Sequence, residues 1–164
     1  MRIARHRWID ERQVRRALEP AALARLQALL VASESRHSGE IRVCVEAGLP
    51  LGDLWRRATP RQRAVALFGE LGVWDTEADN GVLIYLLLAE HAIEIVADRA
   101  VARRVPASHW SEVVQGMREA FCGGHFEAGL AGAIAAVDAV LVQHFPLAPG
   151  QSNPNELPDR LDLR

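Results

Sequence analysis

The chain has 164 residues, of which 49% are hydrophobic and 24% are charged, and its formal net charge is −2. These values predict one soluble globular domain with a substantial core, and the small net charge excludes a global attraction to nucleic acid or acidic lipid. All 19 basic residues are Arg. We attribute this to a coding bias, so no single Arg indicates anion recognition by its type alone.

The cysteine content and the apolar runs bear on the compartment. Two cysteines, Cys44 and Cys122, do not make a disulfide framework, so a reducing compartment is expected. The N-terminus lacks the apolar run of a secretory signal, and the longest apolar run, residues 82–89, is too short for a membrane-spanning helix. We therefore expect a cytoplasmic protein with no transmembrane segment and no nucleic-acid partner.

The first 36 residues have a helical pattern. Asp10 is a candidate N-cap, and Pro20 is placed for the first turn of a second helix. Six Arg lie among residues 2–16. A solvated charged face explains them most simply, and an anion-binding arm is the alternative.

A strand is predicted at residues 40–46, where apolar side chains alternate, and a buried strand at residues 81–88. Between them, Thr59-Pro60 predicts a helix start and Gly72 its end. Residues Val65, Leu67, Phe68 and Leu71 fit one apolar stripe of that helix. Glu90-His91 predicts a reversal into an antiparallel strand at residues 92–97.

Two helices, from about residue 106 to 121 and from 126 to 145, complete the predicted order α-α-β-α-β-β-α-α. The β-α-β segment predicts a right-handed parallel crossover, and helices on both faces predict a three-layer α/β/α sandwich with a small mixed β-sheet. We divide the chain into a helical segment (1–36), an α/β/α domain (37–145) and a Pro-rich tail (146–164). The tail is expected to be extended or disordered.

Acidic residues precede the buried strand at alternating positions, namely Asp75, Glu77 and Asp79. They do not form an EF-hand, because the required Gly and Glu positions hold Asn80 and Leu86. Either a different metal-binding loop or a solvated acidic loop remains.

Asp98 strengthens the metal hypothesis. In an antiparallel pair the end of strand 92–97 falls beside the start of strand 81–88, so Asp79 and Asp98 are expected to be close in space. Two carboxylates at one sheet edge suit a hard divalent cation. The alternative is that Asp98 only caps the next segment through its side-chain oxygen.

Three stretches resemble one family. They are SGEIRVCVE (38–46), RAVALFGELGVWDTEADNGVLIYLLL (63–88) and FCGGHFEAGLAGAIAAV (121–137), and together they resemble the TPM domain over about residues 33–145. The resemblance implies an α/β/α sandwich. It also implies phosphatase activity, calcium binding or a role in membrane-protein maintenance, which different members of the family have. The acidic motif at the start of the second strand matches Asp79 and Asn80, and Glu40 and Asp98 are further candidate site residues.

Three hypotheses follow. The first is a TPM-domain protein in which Asp79 and Asp98 hold Ca²⁺ or Mg²⁺, assisted by Glu40, Asp75 or Glu77, with weak phosphatase activity. The second is a non-catalytic module that binds an unidentified protein partner. The third is an anion-binding accessory that uses the Arg-rich first helix.

Overall fold

The computed structural model describes residues 18–153 and 155–164. The helix predicted around Asp10 lies outside these residues. The helices are α1 (Pro20–Glu34), α2 (Leu51–Trp55), α3 (Pro60–Glu70), α4 (Arg99–Ala102), α5 (Ala107–Cys122) and α6 (Phe126–His144). The strands are β1 (Ile41–Glu46), β2 (Val82–Leu87), β3 (Ala92–Ala97) and β4 (Asp162–Leu163).

The described strands form one mixed sheet in the order β3-β2-β1-β4. β1 runs parallel to β2, with Ile41 opposite Val82, and β3 runs antiparallel to β2, with Ala97 opposite Val82. The predicted parallel pairing of β1 with β2 and the predicted hairpin are confirmed. The register places the start of β1, the start of β2 and the end of β3 at the same edge of the sheet.

The sheet is buried on both faces. Val43 and Ile84 face a core built with α1, α5 and α6, whereas Cys44 and Tyr85 face a smaller core built with α3. All six residues of β1 and of β2 are buried, as expected for central strands covered on both sides. The predicted α/β fold is confirmed.

Helix α3 begins where the sequence predicts, and Leu67, Phe68 and Leu71 of its predicted apolar stripe pack against the sheet, but Val65 does not. Thr59 and Gln62 form a reciprocal capping box at its start. Val65, predicted to lie in the apolar stripe, is 51% exposed, and Ala64 is buried instead. The reason is Arg63, whose buried guanidinium pairs with the Glu46 carboxylate of β1 and turns this side of the helix toward the sheet.

The C-terminal tail is ordered against the sheet. Asp162 and Leu163 form β4, which pairs in parallel with β1, and the Arg42 guanidinium donates to the carbonyl oxygens of Pro158 and Arg160. In the structure this part of the tail is thus extended and paired with the sheet. A two-residue strand has no periodicity, so the sequence carries no sign of it.

Helix α6 is long and apolar enough to cross a membrane, with 19 residues and a mean hydropathy of 1.5. Its residues Leu130, Ile134, Val137 and Leu141 are buried in the core shared with α1 and α5. A core helix of a folded domain has the same composition, so the absence of a membrane span stays a prediction.

Candidate functional site

The loop before β2 is held by its own side chains. The Asn80 side chain is fully buried, and its Nδ2 atom donates to the Ser38 hydroxyl at 3.2 Å. The Asn80 backbone N–H donates to Thr76 Oγ1 at 3.0 Å. Asp79 adopts a left-handed conformation with φ of 51°, which Asp tolerates better than most residues. These hydrogen bonds fix the backbone position from which the Asp79 side chain extends.

Gly81 is required by close packing. A Cβ atom at this position would lie 2.0 Å from the carbonyl oxygen of Val73. Each residue of Asp79-Asn80-Gly81 thus has a local structural role. Asp79 adopts the left-handed conformation, the buried Asn80 side chain holds the loop, and Gly81 lets its backbone approach the Val73 carbonyl closely.

The end of β3 meets this loop, as the sequence predicts. The Asp98 N–H donates to Gly81 O at 2.8 Å, and the Ala100 N–H at the start of α4 donates to Asp79 O at 3.1 Å. Two backbone hydrogen bonds therefore hold the segments of Asp79 and Asp98 side by side. The predicted proximity of these two acids is confirmed.

The two acids open into a cleft of about 480 Å³ at this edge of the sheet. Its wall combines carboxylates, one guanidinium and two aromatic rings. The lining residues are Phe68, Trp74, Asp75, Thr76, Asp79, Asp98 and Arg99. Such a lining suits a hydrated cation or a small polar ligand better than an apolar one.

Asp98 has one oxygen engaged and one without a partner. Its Oδ1 accepts from the Arg99 N–H at 2.6 Å, so the predicted cap at the start of α4 is present. Its Oδ2 is buried and has no hydrogen-bond partner within the described residues. Burial, and then the negative charge of Asp79, raise the pKa of the Asp98 carboxyl.

The other two candidate acids lie outside the cleft. The Glu77 N–H donates to the Glu156 carboxylate at 3.1 Å, and the Glu156 N–H donates to Glu40 Oε1 at 3.0 Å. Glu40 is buried beneath the C-terminal tail, and burial raises the pKa of its carboxyl. The structure thus brings together Asp75, Asp79 and Asp98 and separates Glu40 and Glu77 from them.

The donor set limits which ions the cleft can take. Over the described ranges 18–153 and 155–164, no three or more His, Cys, Asp or Glu side chains form a group arranged to hold a metal ion. A hard cation that retains several waters needs only one or two carboxylates. Asp79 and Asp98 meet that requirement, and the unpartnered Asp98 Oδ2 is the atom that a cation would satisfy.

Sequence reasoning missed a buried polar cluster between α1 and α6. The Ser33 hydroxyl donates to Asp138 Oδ1 at 2.7 Å and lies 2.8 Å from His37 Nε2, while Arg36 pairs with Asp138 Oδ2. Ser33, His37 and Asp138 are all at most 5% exposed. The cluster ties the end of α1 to α6. The one signal for it was an acid in the middle of α6, Asp138, among the apolar residues that form the buried face of the helix.

A second missed cluster lies beneath α3. The Arg63 guanidinium donates to the Glu46 carboxylate at 2.8 Å, and the Tyr85 hydroxyl donates to the same carboxylate at 2.7 Å. All three side chains are buried, which raises the pKa of Tyr85. Because every charge has a partner, the cluster fixes the position of α3 on the sheet.

Comparison with known proteins decides the family. The TPM domain matches residues 13–140, which is well over half of the chain. The chain belongs to the TPM domain family. The matched range of this TPM-domain protein contains β1, β2, β3, the Asp79–Asp98 cleft and most of α6.

Two solved structures share the fold. The NMR structure of the BA42 protein from the psychrophilic bacterium Bizionia argentinensis superposes with a TM-score of 0.77 at 24% identity, covering 90% of this chain and 95% of that one. The NMR structure of the N-terminal domain of a P. gingivalis protein gives 0.63 at 22% identity, with 80% and 82% covered. No curated protein matches the sequence. At these identities the likeness concerns the fold alone.

Proposed function

We propose that this TPM-domain protein binds a hard divalent cation, Ca²⁺ or Mg²⁺, between Asp79 and Asp98. The observation that carries the proposal is the buried Asp98 Oδ2, which has no partner within the described residues. A buried carboxylate oxygen without a partner costs free energy, and a cation in the same cleft would remove that cost. The neighbouring charge of Asp79 adds to the attraction for a cation.

The cleft also suits a weak phosphatase activity, which we include in the proposal. A bound cation would polarise a phosphoryl oxygen. Arg99 lies in the same lining and supplies a guanidinium for a second phosphate oxygen. Trp74, which is 56% exposed, and Phe68 supply apolar walls for the organic part of a phosphate ester.

Thermal unfolding of metal-stripped protein tests the cation site. A cation that binds only the folded state at one hundred times its Kd adds about 2.7 kcal/mol to the free energy of unfolding. For a chain of this size, each kcal/mol raises Tm by roughly 2–4 °C, so millimolar CaCl₂ or MgCl₂ should raise Tm by about 5–10 °C. Asp79→Asn and Asp98→Asn should abolish the rise.

Glu77→Gln is the matched control, because Glu77 lies on the same loop but outside the cleft. It should keep the full rise in Tm. Asp79→Asn should also make the metal-free protein slightly more stable, because it removes a like charge from beside Asp98. Equal responses of Asp79→Asn and Glu77→Gln would show that any bound cation lies elsewhere.

The rival function is the non-catalytic interaction module, which is favoured by the lack of a group of three metal-binding side chains among the described residues. p-Nitrophenyl phosphate hydrolysis separates the two functions. Cation-dependent hydrolysis that is lost in Asp79→Asn supports the phosphatase. A Tm rise without hydrolysis leaves a cation-binding module, and no response to Ca²⁺, Mg²⁺ or Zn²⁺ rejects the cation site.

A further inference from the structure

The outer edge of β3 ends the sheet on one side, among the described strands. The Asp98 N–H bonds to Gly81 O, so in the antiparallel ladder Val96, Glu94 and Ala92 are the residues whose backbone groups face β2. The N–H and C=O groups of Ile93, Ile95 and Ala97 therefore point outward. The Arg61 guanidinium confirms this direction, because it donates to Ile95 O from outside the sheet at 2.6 Å.

A groove of about 520 Å³ runs along this edge. The strand forms one side and helix α5 forms the other, so the outward backbone groups lie within a concave surface. The lining residues are Arg61, Ile93, Glu94, Ile95, Ala107, Trp110, Ser111, Val114, Gln115 and Arg118. An open strand edge beside a helix is the arrangement in which proteins bind a peptide by adding it as a further strand.

The length of the groove matches a short extended peptide. The β3 residues of its lining run from Ile93 to Ile95. A strand rises about 3.3 Å per residue, so roughly three residues of an extended peptide pair with this edge. Trp110 and Val114 are only half-buried and offer apolar surface to alternate side chains of the peptide.

The charges favour an acidic peptide. Two guanidiniums, Arg61 and Arg118, line the groove against one carboxylate, Glu94. Arg61 is 53% exposed, but its guanidinium already donates to Ile95 O and lies 3.6 Å from Glu94. Arg118 is exposed on α5. Since Arg118 has no partner among the described residues, it is the guanidinium that a carboxylate on an incoming strand can meet.

We infer that the groove between β3 and α5 binds an extended protein segment in which acidic and apolar residues alternate, added as a fifth strand at the β3 edge. The peptide backbone bonds to the outward groups of Ile93 and to the Ile95 N–H, since Ile95 O already accepts from Arg61. Its apolar side chains contact Trp110, and a carboxylate pairs with Arg118. This surface is separate from the Asp79–Asp98 cleft, so the inference stands whether or not that cleft binds a cation.

The probe is a ten-residue peptide, acetylated and amidated, in which Glu alternates with Val, and Lys-Val repeats serve as its charge-reversed control. We would titrate it into the full ¹⁵N-labelled chain and follow the amide resonances. The expected shifts are confined to residues 92–97 and 107–118. Binding should weaken at least fivefold in Arg118→Glu, and the Lys peptide should bind at least fivefold more weakly than the Glu peptide.

Two further variants keep the outcome clear. Ser111→Trp fills the groove from an exposed position without changing charge, and it should abolish binding. Arg103→Glu, at an exposed site outside the groove lining, should leave binding unchanged. Three results would each overturn the inference. The two peptides could bind equally well, or millimolar peptide could leave the β3 amide resonances unshifted. A concentration-dependent dimer could also shift the same β3 amides without peptide.

Discussion

Glu34, at the end of α1, should make stability fall at alkaline pH. It is 6% exposed and lies beside the Asp159 carboxyl of the tail, with Glu40 also nearby. Burial, followed by the contact with Asp159, raises the pKa of Glu34 to about 8 from its ordinary 4.5. The folded state therefore holds a proton that the unfolded state releases above pH 4.5.

The magnitude follows from linkage. Each unit of difference between the folded-state and unfolded-state pKa is worth about 1.4 kcal/mol. The difference between a pKa of 4.5 and a pKa of about 8 thus corresponds to ~5 kcal/mol of the free energy of unfolding. This stabilisation is complete below about pH 4.5 and is lost as pH rises through about 8. Because release of the tail separates Asp159 from Glu34, part of the loss will appear as detachment of β4 before global unfolding.

Urea unfolding, followed by far-UV circular dichroism from pH 5.5 to 9.5, measures the effect. The midpoint of the wild-type protein should fall across this range, whereas Glu34→Gln should flatten the dependence and Glu112→Gln, at an exposed site on α5, should not. Limited proteolysis should cut the tail faster at pH 9 than at pH 6 in the wild type. An unchanged midpoint in the wild type, or the same slope in Glu34→Gln, refutes the raised pKa of Glu34.

The remaining predictions concern packing and the buried charges. Gly81→Ala should lower the free energy of unfolding by roughly 2–4 kcal/mol, because the new Cβ meets the Val73 carbonyl at 2.0 Å. Gly116 lies in a helix where a new Cβ would meet nothing within 4 Å, so Gly116→Ala should raise the free energy of unfolding by about 0.5–1 kcal/mol. Urea titrations in which both Gly→Ala variants change this free energy in the same direction would reject the prediction. Arg63→Met should cost about 3–5 kcal/mol because it leaves the buried Glu46 carboxylate without its guanidinium, and a cost below 1 kcal/mol would show that Glu46 finds another partner.

The sequence predicted the parts of the fold that have strong local signals. β1 and β2 were placed to within one residue because their apolar patterns are continuous or alternating, and α3 was placed by Thr59, Pro60 and Gly72. The orientation of α3 was predicted less well. Periodicity counts Arg63 as polar and therefore exposed, but its ion pair with Glu46 makes it part of the buried face.

Order in the tail was not predictable from local signals. Its attachment depends on contacts more than one hundred residues apart in sequence, between Arg42 and the carbonyls of Pro158 and Arg160, and between Glu40 and the Glu156 N–H. A Pro-rich, polar composition gives no indication of such contacts. The same contacts explain why Glu40, placed at the candidate site by its position in the chain, lies under the tail instead.

The antiparallel pairing of β2 and β3 explains why Asp79 and Asp98 could be predicted as neighbours, whereas Glu40 was wrongly predicted to lie beside them. Strand register determines backbone positions, and Asp79 and Asp98 lie directly beside bonded backbone groups, so their side chains have little freedom to diverge. Glu40 lies at the same sheet edge, but its side chain meets the tail beyond β1, which register does not determine. Both acids accept one backbone N–H bond and keep one buried oxygen without a partner among the described residues, Oε2 of Glu40 and Oδ2 of Asp98. They differ in access: Glu40 lies under the tail, whereas Asp98 lines the cleft and so remains available to a cation.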